Sequence, residues 1–144
     1  MGRVRRERQR RWWWQRRRLR CGPGTLRVVG GRAVDGGAGD GPGIPLEIAA
    51  SYGTRRRGLL GRDGVTGAML LTPCNAVHTL GMRFAVDVAY LDAEFRVVAR
   101  HTLPPRRLAL PRPRARHVLE AAAGAMEEWG VRPGVRLVVE QGVR

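Results

Sequence analysis

AVDVAYLDAEFRVVARHTL, residues 85–103, reads as strand, turn, strand. Val86, Val88 and Tyr90 alternate with Ala85, Asp87 and Ala89, the period of two that sends successive side chains to opposite faces of a strand. Asp92-Ala93-Glu94 makes the turn, and FRVVARHTL begins a second strand. Asp87 interrupts the apolar run. A carboxylate in that place is at least partly buried and needs a partner, and Arg62 or Arg83 is the expected one.

The same texture extends outward. Upstream, LEIAA is a strand, Ser51 caps a short helix running through TRRRGLLG, and GAMLLTP is strand-like. AVHT is expected to pair with AVDVAYLD as a hairpin, with Gly81 in the connection. PCNAVHTLGMRF, residues 73–84, places Cys74, Ala76 and His78 on one face of such a strand. Downstream, PPRRLALPRPRAR holds four prolines and should be an extended surface loop. HVLEA is a strand, AGAMEEWG a short helix with Gly130 at its C′ position, and a Pro133-Gly134 turn leads into a closing strand, VRLVVE. Six or seven short strands with two short helices predict a mainly β chain, α+β at the margin, folded as a compact β-sandwich or barrel-like domain. The globular unit is expected over residues 44–144. Before it, residues 1–24 read as a disordered basic Arg/Trp tail, and residues 25–43 as a glycine-rich linker with a short strand at TLRVV.

The formal charge of +15 is unevenly spread. Residues 1–20 hold ten Arg and one Glu, whereas residues 45–144 hold fifteen Arg and nine acids. All 27 basic residues are Arg, which points to a GC-rich genome as much as to an anionic partner. Without lysine there is no P-loop lysine and no Schiff base. Ser51 has no nucleophile-elbow context. Cys21 and Cys74 have neither metal nor redox spacing, and no apolar run approaches the length of a membrane span. A cytoplasmic monomer without cofactor or metal is the expectation.

The ordered set RRRGLLGR, GAMLL, VHTLGMRFAVDVAYLDAEFRVVA, TLPPR, ARHVLEAAAG and GVRPGVRL resembles the domain-of-unknown-function 192 family, small bacterial and archaeal domains, from about Leu46 to Glu140. The resemblance implies a compact, mostly β, sandwich-like domain with short helices and no settled activity. A common form of that family has Trp-Met-Lys-Asn-Thr where this chain has His78-Thr79-Leu80-Gly81-Met82, while GLLGR and Asp87 match. The chain is closer to a His-Thr-x-x-Met-Arg-Phe subgroup, so its ligand is expected to be particular to that subgroup.

These readings favour a non-enzymatic module that binds a small anionic ligand or a protein partner. The expected surface combines His78, Thr79, Met82, Arg83 and Asp87 with the proline-rich loop. Arg62 positions Asp87, and Arg83 or Arg106 receives the anion. Two rivals stand beside it. One is a metal-assisted hydrolase using His78 and Asp87 with His101 or His117. The other is nucleic-acid or anionic-surface binding through the tail.

Overall fold

The computed structural model describes residues 19–29, 43–109 and 111–141. The Arg/Trp run before Leu19 and most of the expected linker lie outside these residues, and with them the tail's expected disorder and its nucleic-acid role. Seven strands follow in chain order: β1 (Gly22–Val28), β2 (Ile44–Ala49), β3 (Ala68–Leu71), β4 (Val86–Leu91), β5 (Val97–Leu103), β6 (His117–Ala122) and β7 (Leu137–Glu140). Helix α1 (Tyr52–Arg57) falls between β2 and β3, and α2 (Ala125–Trp129) between β6 and β7. The strands form one sheet in the order β5-β4-β6-β3-β2-β1-β7. Its pairings are antiparallel except for β2 with β3, whose parallel crossover runs through α1.

The sheet curls until its two edges meet at one corner. Val97 N donates to Val135 O at 2.8 Å, and Leu137 N to Phe95 O at 2.9 Å, tying the start of β5 to the start of β7. The mainly β, barrel-like class with two short helices is therefore what the chain adopts. β1 is an interior strand between β2 and β7, with Leu26 and Val28 buried. A fragment beginning at residue 44 would lack it.

Local chemistry explains the helix ends. Ser51 Oγ accepts from Thr54 N at 3.2 Å while Ser51 N donates to Thr54 Oγ1 at 3.1 Å, a reciprocal cap. Gly130 closes α2 at φ 76, a left-handed conformation that glycine adopts without a Cβ penalty. Gly67 serves a different need, because a Cβ there would lie 2.3 Å from Pro45 O.

Two apolar clusters lie on opposite faces of the sheet. One holds Leu26, Leu46, Ile48, Leu70, Leu91, Phe95, Leu119 and Met126. The other holds Met69, Leu71, Val77, Val86, Val88, Tyr90 and Val118, beneath the loops. β4 is covered on both faces, so all six of its residues are buried.

The expected hairpin does not form. β4 pairs with β5 and β6, which occupy both of its edges. AVHT is therefore excluded from the sheet and runs as a loop beside the arginine–proline segment, its ladder contact reduced to the isolated bridge between His78 and Leu108.

Candidate functional site

Backbone hydrogen bonds fasten residues 74–79 to residues 106–116. Cys74 N donates to Arg116 O at 2.8 Å, Arg112 N to Asn75 O at 2.9 Å, Ala109 N to Val77 O at 3.1 Å and Thr79 N to Arg107 O at 2.8 Å. Thr79 is the clasp. It is 1% exposed, its hydroxyl donates to Pro104 O at 2.7 Å, and it accepts from Arg107 N at 2.8 Å. Arg106 N donates to Thr79 O at 2.9 Å, while the residue itself is exposed. Met82 packs on the second apolar cluster, and His78 is exposed. The two loops thus bring His78, Thr79, Met82 and Arg106 together.

Asp87, Arg62 and Arg83 go elsewhere, and the expected pairing is corrected. Arg62 forms a two-pronged bond with Glu47, at 2.9 Å for each prong. That contact holds the Glu47 carboxyl below its ordinary range. Arg83 pairs with Asp63 at 2.7 Å. Asp87 has no guanidinium. Its Oδ1 accepts from Thr102 Oγ1 at 2.6 Å, and its Oδ2 from Gly124 N at 3.0 Å and Met126 N at 3.1 Å. Gly124 has no side chain with which to cap α2, so Asp87 caps it from the sheet. Neutral donors placed by the fold satisfy the carboxylate without the desolvation cost of a second buried charge.

The residues of the hydrolase alternative are likewise dispersed. His117 stacks on Phe95 with centroids 4.2 Å apart and bonds Thr72 Oγ1 at 2.8 Å. Burial lowers its pKa to about 4. Among the described residues, no three His, Cys, Asp or Glu side chains converge as a metal site.

Between β5 and the arginine–proline loop lies a cleft of about 720 Å³. Tyr90, Val98, Leu103 and Ala109 form its apolar floor, Pro111 and Pro113 stiffen its wall, and His101, Arg112 and Arg114 are its basic groups. The Arg112 guanidinium sits 5.1 Å from the Tyr90 ring centroid. Its Nη2 lies 2.6 Å from His101 Nε2. A guanidinium cannot accept, so His101 Nε2 is the acceptor and the ring proton is on Nδ1. Burial pushes the Tyr90 phenol above its ordinary value, against the pull of Arg112. Tyr90, Arg112 and Arg114 are not among the contacts expected from the sequence, which pointed only to the loop that carries the two arginines. Their signal was present: Tyr90 shares a face with Val86 and Val88, and the loop's arginines meet no acid in sequence.

On the same face of the sheet, Glu120 lies between Met69 and Val88. It is 6% exposed, and its Oε2 has no hydrogen-bond partner. Burial raises its pKa to about 7. Its signal, too, was legible, because it interrupts HVLEA as Asp87 interrupts AVDVA.

The two thiols differ sharply. Cys21 is exposed, accepts from Ala50 N at 3.3 Å and contacts Thr54 Oγ1 at 3.4 Å. Hydrogen bonds from Thr54 and Ala50 bring its pKa down to about 7. Burial raises that of Cys74, whose Sγ donates to Ala76 O at 3.0 Å. At neutral pH Cys21 should react with Ellman's reagent about tenfold faster than Cys74 or more, because the thiolate is the nucleophile. Cys21→Ser should remove the fast phase, and a single rate for both thiols would contradict this assignment.

Comparison with known proteins places this geometry in context. The family described as Uncharacterized ACR, DUF192, matches residues 36–139. A UPF0127 protein of Pyrococcus horikoshii is 32% identical over 87 residues, covering 57% of this chain and 76% of that protein. A UPF0127 protein of Pyrococcus furiosus is 39% identical over 69 residues, covering 47% of this chain and 60% of that protein. Among solved structures, a Sinorhizobium meliloti protein whose description proposes a role in transcription regulation aligns with TM-score 0.65 and 21% identity, over 84% of this chain and 96% of its own. A Novosphingobium aromaticivorans protein of unknown function aligns with TM-score 0.62 and 18% identity, over 78% of this chain and 82% of its own. At those identities the structural likeness speaks to fold alone.

Proposed function

For a chain that belongs to the DUF192 family, as its match over residues 36–139 shows, we propose a non-enzymatic accessory module that binds a small anionic ligand with an apolar body. The site is the cleft between β5 and the arginine–proline loop. One observation carries the reading: Arg112 and Arg114 stand over an apolar floor, and neither forms a salt bridge among the described residues. A guanidinium fork matches a carboxylate or phosphate in two-pronged fashion, and the floor rewards an apolar body. The volume falls within the roughly 300–1,000 Å³ of small-molecule sites. Arg106, exposed on the same loop, adds to the positive field that attracts the anion. Thr79 acts by holding the loop in place, and His78 and Met82 by shaping the segment that supports it. The two free cysteines suit a reducing compartment, which supports a cytoplasmic setting.

The test uses the full chain and two fluorescent probes of the same ring system. Anilinonaphthalene sulfonate should bind, whereas N-phenyl-1-naphthylamine, which lacks the sulfonate, should bind about tenfold more weakly. Arg112→Ala should erase that preference without altering the thermal midpoint by more than a few degrees. Equal binding of the two probes to the native chain would sink the reading.

A further inference from the structure

We infer that His101 makes anion binding in this cleft proton-linked, its protonation freeing Arg112 and raising affinity for the anion. The inference rests on the cleft being the anion site. Arg112 donates to His101 Nε2 at 2.6 Å, a contact that exists only while that nitrogen keeps its lone pair. Part of the guanidinium fork is therefore held by the imidazole and not turned to the ligand.

The groups facing His101 come from two elements. Tyr90 of β4 approaches edge-on, with ring centroids 6.4 Å apart, and the loop contributes Arg112 and Arg114. Val98 and Leu103, from His101's own strand, are apolar. No carboxylate bonds His101 among the described residues. Glu120 stands one strand further across on the same face, beside Val88, and does not bond His101, so a bound anion is the group that would compensate a positive charge on the ring directly.

When His101 takes up a proton on Nε2, the acceptor is lost and two cations face each other at hydrogen-bond distance. Arg112 can then swing its side chain, because its backbone is fixed independently by Arg112 N donating to Asn75 O at 2.9 Å. The cleft gains a released guanidinium fork and a second cationic N–H donor. Binding of the anion is accompanied by uptake of one proton, and by reciprocity the anion strengthens the ring's hold on that proton.

The experiment titrates the full chain with anilinonaphthalene sulfonate, whose sulfonate stays ionised, at about pH 8 and about pH 5.5, on either side of the imidazole range. Affinity should rise about five-fold or more at the lower pH. His101→Gln, which still accepts from Arg112 but cannot ionise, should keep the native affinity of the higher pH at both values. A flat native profile with binding that still depends on Arg112, or an equal rise in His101→Gln, would overturn the proton link and leave the cleft as the anion site. Binding that Arg112→Ala does not weaken at either pH would overturn the site itself, and the inference with it.

Discussion

Asp87→Ala is expected to lower the free energy of unfolding by about 3–5 kcal/mol, because it takes the acceptor from three donors at about 1–3 kcal/mol for each left unsatisfied. Asp87 is 3% exposed and accepts from Thr102 Oγ1, Gly124 N and Met126 N. Alanine would strip the partner from two backbone N–H groups at the start of α2. Met126, a fully buried core residue, would lose the bond that fixes its backbone. Urea denaturation measures the loss. Amide hydrogen exchange locates it, with protection falling first across residues 124–131. Asp87→Asn keeps one acceptor oxygen and should recover part of the difference. A cost for Asp87→Ala of less than about 1 kcal/mol, the worth of a single ordinary hydrogen bond, would mean the carboxylate is not the cap.

The second large effect concerns Glu120 and appears as a pH profile. Its folded-state pKa is raised from 4.5 to about 7 by burial alone. The folded chain therefore prefers the protonated acid. Its stability contribution is fully present below about pH 4.5 and is lost as pH rises to about 7. The shift corresponds to a loss of about 3 kcal/mol across that window. Glu120→Gln cannot ionise, so the stability difference between native chain and variant should swing by that amount, in favour of the variant at alkaline pH. His117 acts in the opposite sense, since its lowered pKa of about 4 costs stability as pH falls below its ordinary value. That contribution is common to both chains and cancels in the difference. Parallel profiles would show that Glu120 is solvated or paired in solution.

Both predictions concern acids that interrupt apolar strands, and they show how far sequence carries. The alternation in residues 85–103 marked Asp87 as buried without any coordinates. It could not name the partner, because Arg83, the nearest arginine along the chain, pairs with Asp63. The cap that Asp87 provides joins positions 37 apart in the chain, a relation that exists only after β6 has aligned beside β4. The same limit explains the missing hairpin. AVHT alternates well enough to be a strand, but both edges of β4 are already taken by β5 and β6. Local pattern reports a residue's willingness to be extended; it carries no information about which edges are vacant.

The cleft follows the same division. The four prolines and five arginines between Pro104 and Arg116 are plain in the sequence, and with them a stiff, basic, acid-free segment. That Arg112 of this segment would lie 5.1 Å from the Tyr90 ring centroid and 2.6 Å from His101 depends on its backbone bond to Asn75. By itself, then, the sequence determined most of the strands, the Ser51 cap, the mainly β class and the family, because these rest on short-range periodicity, capping and ordered motifs. The tertiary structure alone decided the partner of Asp87, the isolation of Glu120 and the floor of the cleft. Each depends on satisfying or stranding polar groups from distant segments, and that balance is struck only when the sheet curls and the loops close over it.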